Sequence, residues 1–117
     1  MSGKSRRGWL ASGLRGRGVV MISFEWDPSK AEINFEKHGV RFSEAITVFD
    51  DPLGITIPDP GHSWEEARDL TVGISLAGRH LIVAHTDRQD RIRLISARKL
   101  TRGEQKAYEN EIQRRKR

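Results

Sequence analysis

Residues 91–109, RIRLISARKLTRGEQKAYE, constrain the fold more than any other stretch of this chain. Arg91 and Arg93 alternate with Ile92 and Leu94, the period of a strand with one face on a core. Thr101 and Glu104 follow at capping-box spacing, so a helix starts there. The fold must therefore hold a core strand that carries arginines at 91, 93 and 98 and leads straight into a helix.

The remaining pattern supplies the partners of that strand. MISFEWD, from Met21 to Asp27, is short and aromatic and predicts a strand. Asp27 as N-cap, Pro28 at the first position and Gly39 as a left-handed stop delimit a helix. Ala31, Phe35 and His38 form its apolar stripe, and Lys30, Asn34 and Lys37 a polar one. A second helix is expected over FSEAITVFDDP, capped by Ser43 and stopped before Pro52. Beyond it the period drops to two. GITI, RDLTVGIS, RHLIVAHT and RIRLISA predict four strands, the last two forming an antiparallel hairpin across DRQD. The order β-α-α-β-β-β-β-α is that of an α+β domain with a mostly antiparallel sheet, its helices packed on one face.

Alternation sorts the hairpin into two faces. Leu81, Val83, His85, Ile92, Leu94 and Ser96 make the more apolar one. Ile82, Ala84, Thr86, Arg91, Arg93, Ile95 and Ala97 share the other. A part-cationic sheet face has two explanations. Antiparallel sheets often leave one face wet, where arginine is ordinary. Guanidinium groups on one face also bind phosphate in a planar, bidentate way.

The net charge of +5 belongs to one segment. Residues 1–20 hold Lys4, Arg6, Arg7, Arg15, Arg17 and no acid, whereas residues 21–117 hold 16 basic and 16 acidic residues. The high isoelectric point is thus no argument for nucleic-acid binding by the whole domain. The Gly- and Arg-rich segment 1–20 is expected to be a disordered extension, or a misassigned start ahead of Met21, with a single domain over 21–117. Arg15 and Arg17 interrupt the apolar run that an export signal would need. The absence of cysteine removes disulfides and thiolate chemistry and agrees with a reducing cytoplasm. No stretch is long and apolar enough to span a bilayer. The four histidines are scattered, so no metal site and no cofactor are expected.

The strings FEWDPSKAEINFEKHGVRFSEA, VFDDP, EEARDLTVGIS and RIRLISARKLTRGEQKAYE, in this order, resemble the BrnT family of toxins of type II toxin–antitoxin systems. The resemblance runs from Phe24 to about Tyr108, and its W-D-x-x-K-x-x-x-N-x-x-K-H-G and I-S-A-R patterns are specific. It implies a RelE-like fold and a metal-independent endoribonuclease that inhibits translation. It also implies a BrnA-like ribbon-helix-helix antitoxin as partner, with operator DNA bound only through that antitoxin, and no membrane.

RNA cleavage by the 2′-hydroxyl needs a proton acceptor, cations for the charged transition state and a donor for the leaving oxygen. Arg93 and Arg98 match the family's IRxISAR string and are assigned to phosphate and transition-state charge; Arg98 can instead pair with Glu104. Arg68 matches the family's E-x-R stretch, as a phosphate ligand or as a surface partner of Glu65 or Glu66. His38 is a candidate proton shuttle, or a half-buried residue of its helix. Arg91, Lys37 and Lys30 are candidates for RNA binding, against an ordinary solvated role. Tyr108 can stack on a base or pack its helix. His85 is expected to be structural, and Trp26 to anchor a strand–helix corner. Trp64 is a candidate for partner contact, while His62 and His80 carry no signal. The alternative to the enzyme is a non-catalytic or inactivated module that acts only as the partner of a DNA-binding antitoxin; the sequence lacks an obvious general base.

Overall fold

The computed structural model describes residues 6–15, 18–61, 67–88 and 90–116, with side chains from Ile22 onward. Strands β1 (Arg6–Arg15) and β2 (Gly18–Trp26) come first, then helices α1 (Pro28–His38) and α2 (Phe42–Ala45). A 3-10 segment (Ile46–Asp50) continues α2. Strands β3 (Ile55–Pro58), β4 (Asp69–Ile74), β5 (His80–Arg88) and β6 (Arg91–Lys99) follow, and α3 (Arg102–Arg115) closes the fold. The six strands form one sheet in the order β1-β2-β6-β5-β4-β3. Every pairing is antiparallel except β2 with β6, which is parallel. The architecture is α+β, as the alternation predicts.

Two expectations about elements need correction. Segment 1–20 is not without regular structure: β1 and the start of β2 lie within it, paired as a hairpin from Arg6↔Trp26 to Arg15↔Gly18. The outer edge of β2 would otherwise present a row of unpaired backbone groups, and β1 satisfies them. The second helix starts at Phe42 rather than after Ser43, and tightens into 3-10 geometry after one turn.

Three turn and cap signals act as read. Asp27 caps α1 by accepting from Ser29 N, and Gly39 ends it at φ 70° with its N–H on Phe35 O. Thr101 and Glu104 form the reciprocal capping box of α3.

The core lies between the sheet and α1, α2 and the 3-10 segment. Phe24, Val40, Phe42, Ala45, Ile46, Val48, Leu81, Val83, Leu94 and Ala97 are buried together, flanked by Ile22, Trp26, Ala31, Phe49 and Ile92. The stripe of α1 differs from the periodicity. Asn34 is buried, whereas Phe35 is 38% exposed under the Arg41 guanidinium, 4.0 Å from its ring centre. Asn34 wins the inner position because its amide replaces a missing strand. Beyond the short β2–β6 pairing, Ala97 N donates to Asn34 Oδ1, and Asn34 Nδ2 donates to Ala97 O and Val40 O, all at 2.9–3.0 Å.

Helix α3 reaches the residues just after the 3-10 segment, its Tyr108 hydroxyl lying near Asp51 and Leu53. Its buried residues, Tyr108 and Ile112, lie outside the main core cluster. It contacts His80 and Arg98, which alternate away from the core residues Leu81 and Ala97. Among the described residues, no helix is long and apolar enough to cross a membrane.

Candidate functional site

The site rests on an irregularity in β6. Ala84 pairs with Ser96 but His85 pairs with Leu94, so Ile95 is one extra residue against β5. Such a bulge shifts the alternation by one step. Ser96 and Ala97 therefore exchange the faces expected for them, and Ala97 enters the core at 0% exposure. Arg98 is brought onto the face that carries Arg91 and Arg93. The three arginines share a surface only because of the bulge.

Across that face the registers build a transverse row. Glu25 of β2 is the partner of Arg93 in β6, and Arg93 is the partner of Thr86 in β5. The β4–β5 register pairs Asp69 with His85; continued by one residue, it sets Arg68 beside Thr86. The row therefore reads Arg68, Thr86, Arg93, Glu25. Arg91 and Arg88 flank it, paired with each other across the hairpin.

Glu25 is the residue that sequence reasoning missed. It is 7% exposed and lies 3.4 Å from Arg91 Nη1 and 3.5 Å from Arg93 Nη1. Both contacts are at the long limit of a hydrogen bond. Two guanidinium groups about one buried carboxylate leave the cluster cationic, which offsets the cost of burying the acid. Two further polar atoms of the row, Arg68 Nε and Thr86 Oγ1, are buried with no hydrogen-bond partner among the described residues. Buried polar atoms are almost always satisfied, so this pair marks a place where a polar ligand would gain contacts.

The other expected residues are dispersed. Arg98 makes a bidentate pair with Glu104 at 2.8 and 3.0 Å and donates to Lys99 O, the structural alternative to a phosphate role. That pair, with the Thr101 cap, holds the Glu104 carboxyl down at about 2 and raises Arg98. Lys30 and Lys37 are exposed on α1, and His38 is half-buried at its end. Tyr108 is 7% exposed, edge-on to His80, with its hydroxyl 3.4 Å from Asp51 Oδ2 and Leu53 O. Burial and the Asp51 charge push its phenol up. A ring packed this way is not offered to a base, which corrects the stacking role expected for Tyr108. His85 is buried at 2% as expected. Trp26 packs edge-on to Phe42 at the strand–helix corner. His62 and Trp64, and the expected partners Glu65 and Glu66 of Arg68, lie outside the described residues.

Metal-holding geometry, not expected from the scattered histidines, exists at one place among the described residues. Asp69, His85 and Asp87 gather on the opposite sheet face from the row.

Comparison with known proteins bears on the whole arrangement. The crystal structure of the Brucella abortus ribonuclease toxin BrnT superposes with a TM-score of 0.52 at 19% identity. The match covers 66% of this chain and 94% of that one, a likeness of fold. No curated protein sequence matches. The profile of the ribonuclease toxin BrnT of type II toxin–antitoxin systems matches residues 26–104, most of the chain. With that match over the elements that carry Arg68, Thr86 and Arg93, the chain belongs to the BrnT family of ribonuclease toxins.

Proposed function

We propose that this protein is an endoribonuclease that cleaves RNA without a metal ion at the row Arg68–Thr86–Arg93–Glu25, and so inhibits translation in the cytoplasm. The supporting observation is the row itself: cations, two buried polar atoms without partners among the described residues and a carboxylate, aligned across β2, β6, β5 and the residue that precedes β4. Arg68, Arg91 and Arg93 bind the scissile phosphate and the charge that grows on it. Glu25 takes the proton of the attacking 2′-hydroxyl, the role for which the sequence offers no obvious residue; the 2′-oxygen bonds to phosphorus as the P–O5′ bond breaks, leaving a 2′,3′-cyclic phosphate, and the departing 5′-oxygen takes a proton from water. Arg98 acts indirectly, by tying α3 to the end of β6. The family implies an antitoxin, and a ribbon-helix-helix protein with an acidic segment is the partner that such a cationic face fits.

The test is cleavage of a fluorescent single-stranded RNA by the purified chain in EDTA, beside Glu25→Gln and Arg93→Ala. Each variant is expected to lose about a hundredfold or more in rate while keeping its near-ultraviolet circular dichroism. Full activity in both folded variants would remove the row from the chemistry. No cleavage by the wild type, in EDTA or with metal ions, would favour the non-catalytic module, and the contacts of Glu25 with Arg91 and Arg93 would then be structural.

A further inference from the structure

Strands β4 and β5 bring Asp69, His85 and Asp87 together on the sheet face opposite the arginine row. Asp69 is the antiparallel partner of His85, and Asp87 lies two residues further along β5. Cross-strand and i, i+2 neighbours project to the same side, so all three converge. One donor atom from each lies within 4.8 Å of the others. The chain carries 21 lysines and arginines, yet among the described residues none pairs with Asp69 or Asp87.

The histidine is oriented for ligation. Its Nε2 is 2.8 Å from Thr71 Oγ1, which is in turn 2.8 Å from Thr56 Oγ1. Its Nδ1 faces Asp87 Oδ1 at 2.9 Å. Histidines that bind metal are held in this manner through their other ring nitrogen. The Phe49 ring stands edge-on to the imidazole, with centroids 4.9 Å apart, and fixes its plane. The Asp87 side chain is 58% exposed, so an ion can reach the group from solvent.

We propose that the Asp69 carboxylate, His85 Nδ1 and the Asp87 carboxylate bind a divalent transition-metal ion that clips β4 to β5. One imidazole and two carboxylates suit Zn²⁺, with water as the fourth ligand. Mg²⁺ and Ca²⁺ prefer all-oxygen sites. The ion replaces the His85–Asp87 hydrogen bond, the imidazole binding in its neutral form. The site stands apart from the arginine row and does not depend on the ribonuclease reading.

The test uses the untagged full chain, stripped with EDTA, dialysed, and titrated with ZnCl₂ by calorimetry. One ion per chain is expected, with Tm rising by about 10 °C at a hundredfold excess over Kd. Asp87→Asn, at an exposed position, is expected to weaken binding at least tenfold. Thr71→Val, which removes no ligand, is expected to weaken it about tenfold. Co²⁺ loaded in place of zinc should give a visible absorption band that Asp87→Asn abolishes. Absence of saturable binding, or wild-type affinity in both Asp69→Asn and Asp87→Asn (an adventitious ion only), would overturn the site. An equal Tm rise with MgCl₂ would overturn the transition-metal assignment.

Discussion

At the scale of single residues, Asn34 stands where a strand would otherwise continue. Its amide bonds both the N–H and the C=O of Ala97 and also Val40 O, at 5% exposure. Truncation would strand one buried donor and two buried acceptors together, each worth about 1–3 kcal/mol when unsatisfied. Asn34→Ala is therefore expected to cost about 3 kcal/mol, read as a lower urea midpoint with an unchanged slope. A loss below about 1 kcal/mol would mean that water takes over the three bonds. Periodicity alone placed Asn34 on a polar stripe with Lys30 and Lys37, because a helical wheel does not know that a sheet edge lies beside it. Glu25 was hidden for a similar reason. Between Phe24 and Trp26 it reads as an ordinary outward residue, and only the parallel register of β2 on β6 sets it against Arg93.

At the scale of elements, the capped start of α3 was legible in full, and the face of β6 was not. A capping box is a local pattern, satisfied within four residues. A bulge is set by the partner strand, and nothing in RIRLISAR announces that Ile95 is the extra residue. The two features meet at Glu104, which closes the capping box and grips Arg98. Its carboxyl titrates at about 2, below its usual 4.5, chiefly through the Arg98 hydrogen bonds. A group whose folded pKa is depressed contributes stability that is complete above about 4.5 and is lost as pH falls toward 2. Glu104 is 39% exposed, so solvent screening holds the effect to about 1 kcal/mol. Stability measured from pH 5 to pH 2 should fall more steeply in the wild type than in Glu104→Gln, by that amount. Parallel curves would show that the pair is worth nothing in solution. Thr101→Ala should cost about 1 kcal/mol at any pH, since it removes a neutral cap.

At the scale of the whole molecule, charge and structure point to different places. The formal excess of +5 resides entirely in residues 1–20, yet the organised cations lie on the sheet, within a stretch that is neutral overall. The salt dependence of RNA binding separates them. Each phosphate neutralised on a single strand contributes about −0.7 to the slope of log K against log salt. With Arg68, Arg91 and Arg93 on phosphates, a 2′-deoxy oligonucleotide, which keeps the phosphates but lacks the nucleophile, should bind with a slope of about −2. In Arg91→Ala, Arg93→Ala the slope should shrink to about −0.7, because two of three phosphate contacts are gone. If the slope instead stays near the wild-type value while Lys4→Ala, Arg6→Ala, Arg7→Ala flattens it, the basic segment holds the RNA. The arginines of β6 would then serve mainly to neutralise Glu25. Cleavage rate and salt slope would part company in that event. A row that performs chemistry but contributes little to affinity would still lose rate in Glu25→Gln, whereas a purely structural row would lose neither.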